Sequence, residues 1–321
     1  MDVAIDSDIP TYSGGLGILA GDMLRSAADL GLPMVAVSLL HRKGYFDQRL
    51  DARGNQLESP SKWSPENRLE PLPQRVSIAI EGRNVSVRAW RYTFRGATGH
   101  AVPLLLLDTD LDDNDPKDRV LTDHLYGGDE HYRLCQEAIL GFGGLAVLRA
   151  LGYSNVRVFH MNEGLSAFIT VALLEEWAGA HPRQGVSDAA IEAVQQQCVF
   201  TTHTPVPAGH DRFHADLIRQ VLGERCAELL AQLGVLSGGD LNLTELALRL
   251  SRYANGVSLR HGEVSRSMFP VYGIDAITNG VHAVAWTSAP FGALYDRAIP
   301  ERRCDNCYLR YAVGIPLNEI R

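Results

Sequence analysis

Positive charge is in short supply. Thirty lysines and arginines face thirty-eight aspartates and glutamates, a formal net charge of −8 with histidine neutral. A protein whose main task is to bind nucleic acid or an anionic membrane needs clustered positive charge, so neither partner is expected. A local basic pocket for a small anion stays compatible with that balance. Cysteine is scarce too, and five of them, an odd number, do not make the disulfide framework of a small secreted domain. Cys304 and Cys307 form a lone C-x-x-C; with no second pair at suitable spacing, the four ligands of a structural zinc are lacking. Incidental thiols and no metal are expected. Long apolar runs are missing as well: Pro103 to Leu107 and Ile139 to Leu148 fall well short of the roughly 20 residues of a membrane span. The opening MDVAIDSDIP has no basic segment leading into an apolar one, so no signal peptide is expected. These absences predict a soluble, cytoplasmic protein.

What is present is ordinary for a globular chain: 321 residues, 45% hydrophobic and 21% charged, long enough for one large domain or two ordinary ones. Short apolar runs alternate with helix-length amphipathic segments, the signature of an α/β fold. A glycine-rich Ser13-Gly14-Gly15-Leu16-Gly17 opens a helix that runs to Leu30 and is closed by Gly31 and Pro33. Met34 to Leu40 then reads as a buried parallel strand. Alternation at Val76, Ile78 and Ile80, a turn at Gly82-Arg83-Asn84, and alternation at Val85, Val87 and Ala89 predict a hairpin insertion, followed by a strand from Val102 to Leu107. The acidic stretch from Asp108 to Asp118 reads as a solvated loop. Beyond it the pattern predicts a long helix from Asp129 to Leu151, a strand from Val156 to His160 and a helix starting near Glu163. A helix from Asp188 to Gln197 and a strand from Cys198 to Thr202 follow; helices dominate to Met268, and Asp275 to Thr278 reads as a last short strand. The whole is a doubly wound sheet whose strand ends should carry the ligand site.

Five motifs fall at such positions. The glycines at 13–17 can present bare backbone N–H groups and a helix N-terminus to an anion, or can simply pack a helix on a sheet. His203, in Thr201-Thr202-His203-Thr204-Pro205, sits at a strand end; three histidines (His203, His210, His214) lie within twelve residues, but their spacing matches no common zinc pattern. His160-Met161-Asn162-Glu163-Gly164 places a carboxylate at another strand end, to orient a sugar hydroxyl or a loop, or merely to favour a helix N-terminus. Asn255-Gly256-Val257-Ser258 with His261 to Arg266, and Ile277-Thr278-Asn279-Gly280-Val281-His282, complete the set, although Asn-Gly alone is a turn signal.

In combination these motifs are specific. PTYSGGLGILAGDMLRSAADLGLPMVAVSLL, LTDHLYGGDEHYR, HMNEG, TTHTPVPAGHDRF, the NGV and HGEVSR segment and ITNGVH occur in this order between positions 10 and 282. The chain thereby resembles the glycogen/α-glucan phosphorylase family, in particular the N-terminal portion of its shorter bacterial and archaeal type. The resemblance implies one Rossmann-like doubly wound lobe of a GT-B glycosyltransferase, with a β-hairpin insertion, occupying 1–285. The segment 286–321 would lead toward a missing second lobe. It implies phosphorolysis of α-1,4-glucan (glycogen or maltodextrin) by inorganic phosphate to glucose 1-phosphate, with pyridoxal phosphate held by a lysine outside this chain, and a homo-oligomer at full length. It also implies catalytic roles for His203 and Glu163 and a phosphate and glucosyl site lined by Gly14, Gly15, Leu16, Asn162, Thr204 and His282. Asn279, Gly280 and His282 match a turn near the hinge between lobes.

The chain departs from the family pattern in several places. Leu165 replaces a histidine after H-M-N-E-G, and His41 stands where a tyrosine is common. Leu259-Arg260 is an exchanged pair that would move a charge about 100° around a helix, toward a packed face. Met1 falls inside a strand with which relatives begin. With the second lobe absent, little turnover is expected from this chain alone. The alternatives are a non-catalytic glucan-binding remnant, a split subunit that pairs with a separate C-terminal lobe, or a nucleotide-sugar glucosyltransferase of the glycogen-synthase type. The last class carries a lysine before its glycine loop, which Tyr12-Ser13-Gly14-Gly15 lacks.

Overall fold

The structure is a computed structural model that describes residues 2–6, 8–182 and 186–320. Met1 and Arg321, the outer ends of the two expected units, lie outside the described residues. The chain is a mixed α/β protein built on two main sheets. The first contains β1 (Ala36–Leu39), while β2 (Asp47–Leu50) and β3 (Gln56–Ser59) form a separate two-stranded ribbon. The long β4 (Glu70–Ile80) and β5 (Arg83–Arg95) form the expected hairpin, and β6 (Ala101–Asp108) completes the sheet in the order β1-β6-β5-β4. Only the β1–β6 pair is parallel.

The run Leu104–Leu107 on β6 is buried on both faces, as a strand with cover on both sides requires. Side chains alternate along a strand, so Leu105 and Leu107 enter the larger core. Leu104 and Leu106 enter a smaller one with Leu24, Ala27 and Ala28 of the helix Gly15–Asp29. That helix is therefore fixed by its packing on β6 and β5.

The second sheet begins with β7 (Phe159–Asn162) and β8 (Cys198–Thr202). A small antiparallel sheet of β9 (Arg212–His214), β10 (Leu236–Ser237) and β11 (Asp240–Asn242) intervenes. Then β12 (Tyr253–Gly256) and β13 (Asp275–Ala276) finish an all-parallel sheet in the order β13-β12-β8-β7. Parallel strands need crossovers, and the helices Phe168–Ala180, Asp188–Gln195 and Leu259–Met268 supply them. Because all four strands run one way, Asn162, Thr202, Gly256 and Ala276 end at the same edge.

Three expectations are corrected. The helix expected from Asp129 to Leu151 is interrupted by a π turn at Ile139–Gly143, where a Cβ on Gly141 would come within 2.6 Å of the Phe168 backbone. Close helix approach decides the geometry there. The acidic stretch from 108 to 118 is not uniformly solvated: Asp108 is fully buried and bonded to Arg42 at 2.7 Å, Arg88 at 3.0 Å and Trp90 Nε1 at 2.8 Å. Burial alone would raise its pKa, but Arg42 and Trp90 outweigh that and hold the carboxyl below its ordinary value. Finally, Leu259 and Arg260 are both exposed, and Arg260 pairs with Glu263 at 2.7 Å, so no charge meets a packed face.

Candidate active site

At the carboxyl edge of the parallel sheet, β7 and β8 are in register with Asn162 opposite Thr201, and the Glu163 N–H donates to the Thr201 carbonyl at 2.9 Å. The next two residues on each strand therefore meet. Glu163 is buried and its backbone is left-handed, φ 79° and ψ 160°, a region that favours glycine. Its carboxylate is bonded from inside the protein. Oε1 accepts from the Gly164 N–H at 2.9 Å, and Oε2 accepts from the His203 N–H at 2.8 Å and the Thr204 hydroxyl at 2.9 Å. A buried charge survives only with such partners. Glu163 thus holds the start of the 203–211 loop, and a displaced backbone is the cost of that reach.

Asn162 Oδ1 accepts a hydrogen bond from His203 Nε2–H at 2.7 Å, which leaves Nδ1 of the neutral imidazole as an acceptor. Burial pulls the His203 pKa down against the charge of Glu163, and His261 and His160 add to the depression, so the neutral ring is favoured. Behind it, Thr201 donates to Asn255 Oδ1 at 3.0 Å. Its hydroxyl proton is thereby used, so His160 Nε2 must donate to Thr201 Oγ1 at 2.8 Å. Burial lowers the His160 pKa as well. This chain of bonds locks the ends of β7, β8 and β12 together.

The glycines of the first helix divide by task. Gly17 and Gly21 pack: an added Cβ would sit 2.6 Å from Tyr12 Cβ and 2.0 Å from the Ala4 carbonyl oxygen, respectively. Gly14 and Gly15 are exposed, and a Cβ on either meets nothing within 4 Å. The helix they open has no side-chain cap and no acidic residue in its first turn, so its leading N–H groups have no side-chain acceptor there. Leu16 is half-buried. Asp2 anchors the loop before this helix by accepting from the Ser13 N–H at 3.4 Å. The phenol of Tyr126 is pushed up in pKa, first by burial and then by the charges of Asp2, Glu163 and Asp211. Carboxylates from three places, the loop before the glycines, the end of β7 and the loop after β8, thus act on the one phenol of Tyr126.

His282 is not brought to this cluster. Its Nε2 bonds Asp29 at 2.9 Å, at the far end of the helix that Gly15 opens, roughly 20 Å away at 1.5 Å per residue. His203, His210 and His214 do not converge either. His210 is buried against Thr244 at 2.8 Å, and His214 caps the helix Ala215–Leu222. Leu165 lies buried in the larger core. The chain has three lysines: Lys43 pairs with Asp123 at 2.6 Å, and Lys62 and Lys117 are exposed. None is a buried, unpaired amine of the kind a pyridoxal Schiff base needs, so these residues do not match that group. Asp2, Tyr126, Arg133, Glu137 and Asp211 were not singled out by sequence. The one available signal was a glutamate at 137 among the apolar positions Leu134, Cys135 and Ala138 of its helix.

No family model matches the chain. Comparison with curated proteins is informative. It is 39% identical over 324 residues to the glycogen phosphorylase of Mycobacterium tuberculosis, an alignment covering 90% of this chain and 36% of that protein. The chain is homologous to the N-terminal part of the glycogen and maltodextrin phosphorylases. The maltodextrin phosphorylase of Thermococcus litoralis is 38% identical over 320 residues, covering 93% of this chain and 37% of that protein. For the glycogen phosphorylase of Aquifex aeolicus the identity is 32% over 313 residues, with 90% and 44% covered. The chain therefore spans less than half the length of these phosphorylases.

Proposed function

We propose that this chain is the sugar-facing lobe of an α-1,4-glucan phosphorylase of GT-B architecture. In the reaction, a phosphate oxygen bonds to the anomeric carbon of a terminal glucosyl unit, the glycosidic C–O bond breaks, and the proton lost by the phosphate passes to the departing glycosidic oxygen. Glucose 1-phosphate and a shortened glucan result. Two features support this reading. One is a helix N-terminus without a side-chain cap, at Gly14 and Gly15, where an added Cβ meets nothing within 4 Å. The other is a neutral His203 fixed by Asn162 and Glu163. Backbone donors of that kind stabilise anionic oxygen without a mobile side chain. In this reading His203 Nδ1 accepts from a glucosyl hydroxyl, Glu163 and Asn162 set its position, Thr204 holds the loop, and Leu16 supplies an apolar wall. Pyridoxal phosphate, which supplies a phosphate acid–base group when bound, belongs to residues other than these, as does its lysine. The boundary falls near 285, with His282 in a structural role and the following segment leading to the second lobe.

The test mixes the purified chain with maltodextrin, inorganic phosphate and pyridoxal phosphate. Glucose 1-phosphate is assayed with and without a polypeptide carrying the remaining part of a homologous phosphorylase. Activity in the mixture, abolished by His203→Ala, is expected. Turnover by the chain alone would overturn the assignment of half the site elsewhere. Silence in both, from a folded chain that still binds maltodextrin, would make it a glucan-binding protein.

A further inference from the structure

Glu137 lies on the helix Glu130–Ala138 with no solvent exposure, and neither of its carboxyl oxygens meets an N–H or O–H donor. On its own helix the nearest charge is Arg133, one turn earlier, whose guanidinium reaches instead to Asp211 Oδ1 at 3.4 Å. From the loop after β8 the facing group is the Asp211 carboxyl, within hydrogen-bonding reach of Glu137. Glu163 and Glu130 add negative charge around Asp211. An ionised carboxylate with no donor, buried beside another carboxylate, is disfavoured twice over, by lost hydration and by like charge. Two carboxyl groups in contact are compatible only when a proton lies between them.

We propose that Glu137 is a neutral, proton-bearing acid whose O–H donates to the Asp211 carboxylate, and that this shared proton ties the helix Glu130–Ala138 to the 203–211 loop. Glu137 is then a positioning residue. Arg133 holds the other side of Asp211, and Leu243 N–H donates to the Asp211 carbonyl at 3.2 Å. The loop that carries His203 is gripped at both ends by a carboxyl group: Glu163 at His203 and Thr204, neutral Glu137 at Asp211. The inference goes beyond the proposed reaction and needs no glucan, phosphate or cofactor for its test.

Burial and the neighbouring Asp211 hold the Glu137 carboxyl well above its ordinary value. An acid that keeps its proton when folded and loses it when unfolded makes stability fall as pH rises above the free-carboxyl range. Glu137→Gln keeps a donor toward Asp211 but cannot titrate. Its melting temperature relative to the unsubstituted chain is therefore expected to rise by several degrees between about pH 5 and about pH 8. Glu137→Leu, of similar size but without a donor, is expected to melt below Glu137→Gln at every pH. Infrared difference spectra at neutral pH, unsubstituted chain minus Glu137→Gln, should show the carbonyl band of one protonated carboxyl. If Glu137→Leu does not fold, the infrared and Glu137→Gln measurements still decide. Absence of that band, or a melting difference that is flat or falls with pH, would overturn the proposal.

Discussion

Replacing Glu163 by alanine and, separately, by glycine isolates two contributions that the native residue combines. The carboxylate accepts three hydrogen bonds, from Gly164, His203 and Thr204, at 2.8–2.9 Å. Bonds to a charged acceptor contribute about 1.5–3 kcal/mol each when buried. Full addition would overstate the loss, because His203 and Thr204 are only half-buried and their freed donors regain water, whereas Gly164 is buried and its N–H would be orphaned. The expected loss for Glu163→Ala is therefore about 3 kcal/mol. Alanine also keeps the strain of a side chain at φ 79° and ψ 160°. Glycine adopts that backbone freely, which recovers about 1–3 kcal/mol, less about 0.5–1 kcal/mol for its extra freedom in the unfolded chain. Glu163→Gly should thus be the more stable variant by about 1 kcal/mol although it removes the same bonds. Urea unfolding followed by far-ultraviolet circular dichroism measures both. A loss under about 1 kcal/mol for alanine would mean that the carboxylate does not organise the loop. Alanine equal to or better than glycine would mean that the left-handed backbone costs nothing.

Gly15→Ala should leave stability unchanged or slightly raised, because a Cβ there meets open space, yet lower glucose 1-phosphate formation in the complemented enzyme by about a hundredfold if N–H donors act at that spot. The control, Gly17→Ala, should lose stability in thermal melts, because its Cβ would clash with Tyr12. Asp108→Asn should cost about 3 kcal/mol in urea titrations, the low end for a broken buried pair because both arginines keep some contact with water. His160, His203 and His210 are all held below the ordinary histidine pKa, in each case first by burial. The folded chain therefore binds fewer protons than the unfolded one, and these groups lower stability as pH falls through about 6.5. His160→Gln should flatten that acid-side slope in urea titrations. Glu137 pushes in the opposite direction, which is why its test compares a variant with the unsubstituted chain at each pH.

The fold was legible where one physical pattern acts alone. Alternation at 76–80 and 85–89 marked the hairpin, and the strand Cys198–Thr202 was bounded correctly because an apolar run meets polar residues at both ends. The long helix was misjudged at Gly141 because apolar periodicity continues through it. The interruption comes from the Phe168 backbone, a contact that local sequence does not encode. Asp108 was misjudged for a related reason. A charge run is solvated by default, and its exception depends on Arg42, 66 residues away in sequence. The small sheet of β9, β10 and β11 went unseen because its strands have only two or three residues, too few to establish an alternation.

Within the candidate site, sequence located residues better than it assigned their work. His203, Thr204, Asn162 and Glu163 were expected at strand ends, and parallel register brings them together because Asn162 pairs with Thr201. The role of Glu163 was open between sugar and loop. Three contacts to Gly164, His203 and Thr204 show its hold on the loop, and one acceptor position on Oε1 stays open. The glycines show the same limit. S-G-G-L-G reads alike whether its residues pack or bind, and only the space around each Cβ separates Gly17 from Gly15. Glu137 and Asp211 illustrate the opposite case. Their spacing of 74 residues hides the contact, but an acid on the apolar side of a helix already demands a partner or a proton, and the fold brings Asp211 within its reach.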